Sequence, residues 1–143
     1  MGVSGCGKST IAELLAKHFN STFIEGDEFH PPANIHKMSV LQQPLNDKDR
    51  ESWLQALNKA TQDEFELQKS PYLVMACSAL KHSYRLLLSG IIKSLDTMNE
   101  AHAHVNFTTT FVFLRASSKD AIAKRLSERQ NHFFKASLLE SQF

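Results

Sequence analysis

Gly2-Val3-Ser4-Gly5-Cys6-Gly7-Lys8-Ser9 matches the spacing G-x-x-x-x-G-K-[ST] at every fixed position. Backbone N–H groups of such a turn converge on phosphate oxygens, and the N-terminus of a following helix adds its dipole. Lys8 would reach the β- and γ-phosphates of a nucleotide, and the Ser9 hydroxyl would ligate Mg²⁺. The plainer alternative is a glycine-rich helix start that binds nothing. Two features weigh against it. Helical periodicity begins directly after Ser9, and Gly2, Gly5 and Gly7 are three of only five glycines in the chain. Glycine gathers where backbone takes positive φ or approaches a ligand closely.

Asp27 follows a short strand candidate, Thr22–Glu25, where open α/β sheets place their ligands. A carboxylate there would accept a hydroxyl proton or hold Mg²⁺ through water; as a turn or capping aspartate it would do neither. His30 and Lys37 are two helical turns apart and share one face, either toward a ligand or as solvated charge. Arg50 would clamp a carboxylate bidentately or pair with Asp47. The apolar run Tyr72–Cys77 leads into Ser78-Ala79-Leu80-Lys81, with Tyr84-Arg85 one turn on. No aspartate ends that run, which moves the metal or base role toward Asp27. Arg125, Arg129 and His132 form a late cationic cluster, read either as a lid acting on the transferring phosphoryl group or as a helix end satisfying its dipole.

These residues need a scaffold. Ile11, Leu14, Leu15 and Phe19 recur at helical spacing, so residues 8–19 read as an amphipathic helix. Pro31-Pro32 suits the start of a short helix to about Met38. Asp47 to about Phe65 reads as a longer helix burying Trp53, Leu54 and Leu57. Tyr72–Cys77 reads as a strand covered on both faces. Lys81–Ser89 is helical and closes at Gly90. Ser94–His104 reads as loop or irregular helix, Phe107–Leu114 as a strand, Lys119–Arg129 as a helix, and 135–143 as helical. Strand and helix in alternation predict an α/β layered fold with a mainly parallel sheet.

With 143 residues, one domain over 1–143 is expected, with residues around 125–143 as its lid. A net charge of +1 without a like-charge block argues against a general nucleic-acid binder. The longest apolar run, Tyr72–Cys77, is too short to span a membrane, and no charged-then-apolar leader opens the chain. Cys6 and Cys77 lie far apart without a partner pattern, which fits a reducing, cytoplasmic location.

Read together, GVSGCGKST, GDEFHPPANIHKM with PLNDKDRESWL, CSALKHSYR and RLSERQNHFFKASLLESQF resemble gluconokinase, a small P-loop kinase family. The segments fall in order across nearly the whole chain. The resemblance implies ATP- and Mg²⁺-dependent phosphorylation of D-gluconate to 6-phosphogluconate, often by a homodimer. On matching positions, Gly2, Val3, Ser4, Gly5, Cys6, Gly7, Lys8, Ser9 and Thr10 would hold ATP. Asp27 would be the base or metal-side carboxylate. His30, Lys37, Arg50, Lys81 and Arg85 would line the sugar-acid pocket with Asp27, and Arg125 and Arg129 would act from the lid. The resemblance also implies a three-layer α/β/α P-loop fold with five parallel strands in the order 2-3-1-4-5. Candidates exist here for the second, third and fourth only. The first and last strands are expected to be missing, and loss of the first would split the sheet.

The chain departs from the family pattern in places. Ser39–Gln43 puts five residues without glycine between Lys-Met and Pro-Leu, where four with a glycine are usual. Cys6 stands where serine is common, Leu86 where an acidic residue is usual, and HFF where HFM is usual. Two alternatives remain beside a gluconokinase: a kinase for another hydroxy acid such as shikimate, and a non-catalytic product that binds nucleotide or a partner. CSALK, where a shikimate kinase would carry a glycine-rich stretch, speaks against the first.

Overall fold

The computed structural model describes residues 1–67, 70–96, 107–115, 118–128 and 136–142. Helix α1 (Lys8–Phe19) leads to strand β1 (Thr22–Glu25), a 3-10 turn (Gly26–Phe29), α2 (Pro32–Ser39) and α3 (Asp47–Glu66). Strand β2 (Leu73–Ala76), α4 (His82–Leu88), α5 (Lys119–Glu128) and a second 3-10 turn (Ala136–Gln142) complete it. The strands pair in parallel, Thr22 opposite Leu73 through Glu25 opposite Ala76. The class is the expected α/β one, a P-loop-type sheet layered between helices. Helix α1 packs against both strands. Helices α3 and α4 share a core with Ile24 and Cys77 in which Trp53, Leu54, Leu57 and Leu87 are fully buried.

Local chemistry sets the element ends. Asn46 and Asp49 form a reciprocal capping box that starts α3, each side chain taking the other's backbone N–H. Pro32 opens α2, and Gly90, at φ +71°, follows α4 as a left-handed stop.

Two expectations are corrected. The buried residues of α1 are Ala12 and Ala16, whereas Ile11, Leu14 and Phe19 are exposed. Small side chains let the helix lie close on the sheet, and Ile11, Leu15 and Phe19 instead line a cleft beside the free edge of β2. Phe107–Leu114 forms no strand among the described residues. It lines that cleft together with β2 but shares no ladder with it. Its backbone meets Met1 instead, Leu114 N–H donating to Met1 O at 2.8 Å and the terminal amine to Val112 O at 2.5 Å. Among the described residues the sheet is the two-stranded pair β1–β2. The loop expected over Ser94–His104 lies largely outside the described residues, as does Arg129.

Gly26 leaves β1 beside β2. A Cβ on it would sit 2.5 Å from the carbonyl oxygen of Ala76, a backbone atom that cannot step aside. Gly26→Ala is expected to destabilise the fold by roughly 1–3 kcal/mol through overpacking, read as a lower urea midpoint. An unchanged midpoint would show that the two strands separate freely.

Candidate active site

The phosphate loop runs directly into α1. Gly5 and Gly7 hold φ of +80° and +94°, conformations that L side chains rarely adopt, and Cys6 N–H donates to Val3 O at 3.3 Å to close the turn. The Lys8 ammonium folds back over the loop and donates to Val3 O at 3.0 Å. Helix α5 roofs the turn: a Cβ on Gly5 would meet Ile122 and Leu126 at 3.2 Å.

Ser4, Lys8, Asp27, His30, Arg50, Ser78 and Gln142 face one small cavity. Asp27 stands in the 3-10 turn past β1, its N–H directed at Glu25 Oε1 at 3.4 Å. The parallel sheet thus delivers a carboxylate from the end of β1 to the same space as the phosphate loop. His30 stacks on Trp53, ring centroids 4.3 Å apart and 14° from parallel, while Trp53 Nε1 donates to Gly26 O at 2.7 Å. Burial pushes the His30 imidazole down to about 4, aided by the Arg50 charge and opposed by Asp27. It is therefore a neutral hydrogen-bonding group near neutrality.

That shift has a stability consequence with a definite sign. Folded His30 takes up its proton near pH 4, whereas an unfolded histidine does so near 6.5. Between those values the unfolded chain binds more protons, so acidification from 6.5 to 4 lowers stability. The fall in Tm across this window is expected to be shallower in His30→Phe, which retains an aromatic ring for Trp53. Parallel Tm–pH curves for the two proteins would refute this origin.

Lys37, Lys81 and Arg85, also named from sequence, are not among the residues lining this cavity, and each is already engaged. Lys37 Nζ donates to Asp49 Oδ2 at 2.6 Å and Lys81 Nζ to both Asp47 oxygens at 2.6 and 2.7 Å. These contacts hold both carboxyls below their usual range, through Lys81 and then Tyr84 at Asp47, and through Lys37 and then the Asn46 N–H at Asp49. Tyr84 O–H also donates to Asp47. Arg50 points its guanidinium at the Tyr84 hydroxyl, 3.3 Å away, rather than at Asp47. Arg85 braces the turn after β2, donating to Ala79 O at 3.0 Å and Leu80 O at 2.9 Å, where Ala79 holds a left-handed φ of +38°. Thr10 and Arg125 are exposed on their helices.

Comparison with known proteins places this arrangement. A family model described as Shikimate kinase matches residues 4–141. The thermoresistant gluconokinase of Escherichia coli is 40% identical over 144 residues, covering 100% of this chain and 71% of that protein. A gluconokinase of Gluconobacter oxydans is 40% identical over 99% of this chain and 70% of its own length. The crystal structure of a gluconokinase from Sinorhizobium meliloti superposes with a TM-score of 0.66 at 39% identity, covering 99% of this chain and 69% of that one. The chain belongs to the gluconokinase family. An unliganded sugar kinase from Janibacter superposes better still, with a TM-score of 0.77 at 36% identity over 99% of this chain and 72% of that one. The shikimate kinase description and the gluconokinase relatives thus agree on a P-loop kinase fold.

Two groups in this gluconokinase-family site are not among the residues named from sequence. Glu25 Oε2 accepts from the Ser9 hydroxyl at 2.5 Å, so the carboxylate against Ser9 is Glu25 rather than Asp27. Its signal was available: Glu25 ends a parallel strand beside the phosphate loop, at the edge where such sheets bind ligands. Gln142 Oε1 accepts from Ser4 N–H at 2.6 Å; Gln142 lies in the terminal SLLESQF stretch that carries the family resemblance, but that pattern assigned it no role. Among the described residues no helix is long and apolar enough to cross a membrane.

Proposed function

We propose that this chain transfers the γ-phosphoryl group of ATP to the 6-hydroxyl of D-gluconate, giving 6-phospho-D-gluconate and ADP. The supporting observation is the roughly 40% identity to gluconokinases along the whole chain, joined to a cavity where the phosphate loop, Asp27, His30 and Arg50 converge. The loop N–H groups and Lys8 bind the phosphate chain and meet the charge that spreads over the γ-phosphoryl oxygens. Asp27 accepts the acceptor hydroxyl's proton as that oxygen bonds to phosphorus and the bond to the ADP oxygen breaks. Neutral His30 and the Arg50 guanidinium orient the acceptor through its hydroxyls and carboxylate. Lys37 and Lys81 already hold Asp49 and Asp47, so an incoming carboxylate recruits them only by exchange.

Ser9 and Glu25 fit Mg²⁺, which takes hard oxygen donors, keeps several waters and shares phosphate oxygens. Bound there, it would neutralise phosphate charge. The alternative acceptor, shikimate, has the matching family model in its favour. A coupled ADP-release assay on the full chain with MgATP and either gluconate, shikimate or no acceptor separates the readings. Turnover with gluconate is expected. Faster turnover with shikimate would reverse the assignment, and nucleotide binding without turnover would favour a non-catalytic role.

A further inference from the structure

The turn Ala136–Gln142 is pinned to the phosphate loop by apolar packing, with Leu138 and Leu139 buried beside Val3, Ile122 and Leu126. Gln142 ends that turn and, across 138 positions of sequence, sets its Oε1 2.6 Å from Ser4 N. Ser4 is buried, so its N–H needs a partner within the site, and an unpaired buried donor is costly. Amides of this loop are also the groups that receive phosphoryl oxygens in the function proposed above. Gln142 and a phosphate chain therefore claim the same donor. The space left among Ser4, Lys8, Asp27, His30, Arg50 and Gln142 is about 30 Å³, enough for a water molecule or two but not for a sugar acid. A wall of this cavity must move before an acceptor enters, and Gln142 is the wall that reaches onto the loop.

We propose that Gln142 gates the phosphate loop. In the closed chain its carboxamide oxygen takes the place of a phosphoryl oxygen on Ser4 N–H, and nucleotide binding exchanges the one acceptor for the other. The exchange favours the nucleotide because an anionic oxygen makes a hydrogen bond roughly twice as strong as a neutral one. Lys8 and the N-terminus of α1 add further attraction that only an anion collects. Once released, Gln142 no longer narrows the space beside Asp27, so the two substrates become coupled through one side chain.

This inference rests on the nucleotide reading, and the test separates the two. A non-hydrolysable ATP analogue with Mg²⁺ is titrated into the full chain without gluconate, followed by fluorescence of the single tryptophan, Trp53, which lines the cavity, and by calorimetry. Gln142→Ala removes the competing acceptor and is expected to tighten binding roughly 2- to 12-fold, the range set by the net worth of one hydrogen bond. Gln142→Glu keeps an acceptor on Ser4 and adds repulsion toward phosphate, so it is expected to weaken binding. Unchanged affinity in both variants, or weaker binding in Gln142→Ala, would overturn the gate while leaving the nucleotide site in place. Absence of binding by the unaltered chain would overturn both.

Discussion

Lys8→Ala is expected to lower kcat for gluconate phosphorylation by roughly 10²–10³-fold, the usual cost of removing one preorganised charge-stabilising group. The ammonium serves the transition state because charge spreads onto the phosphoryl oxygens as the bond to ADP lengthens. Its one hydrogen bond among the described residues, to Val3 O, is part-buried and local. The variant should therefore keep its fold, and its urea midpoint should stay close to that of the parent. Loss of turnover at an intact midpoint assigns the effect to chemistry. A near-normal kcat would remove Lys8 from the phosphate site and with it the main reason for reading this loop as catalytic.

Asp27→Asn is expected to lower kcat by roughly 10²–10⁴-fold, the span of a lost general base, while moving the gluconate KM much less. Asparagine keeps the size of the side chain and an acceptor oxygen but cannot take the proton of the attacking hydroxyl. The contrast with Glu25 sharpens the test. Glu25 holds the Ser9 hydroxyl, so Glu25→Gln should raise the Mg²⁺ concentration needed for half-maximal rate, an effect that Asp27→Asn should not share. If Asp27→Asn raised KM and spared kcat, Asp27 would be a binding residue and the proton would need another acceptor.

Much of this site could be read from short stretches of chain. The phosphate loop is a local pattern, since its glycines, its lysine and the helix that follows are all set within a dozen residues. The same holds for the capping box at Asn46 and Asp49, the proline that opens α2 and the glycine after α4. Such features depend on backbone dihedrals and on bonds between near neighbours, so residue type and spacing determine them. Asp27, His30 and Arg50 were also legible as chemistry, though sequence left each with a plainer structural role.

Tertiary structure decided what those groups touch. Lys37 and Lys81 meet the two aspartates of the first turn of α3, and Arg85 holds a strained turn, because α2, α3 and the turn after β2 converge at one corner. The buried face of α1 is its alanine face, because close approach to the strands favours small side chains over large apolar ones. Phe107–Leu114 has the composition of a strand and forms none, because a strand exists only against a neighbour within hydrogen-bonding distance. Ser9 found Glu25 and Ser4 found Gln142 for a related reason. Pairings 16 and 138 residues apart depend on how the chain returns on itself, a property of global packing that no local window of sequence contains.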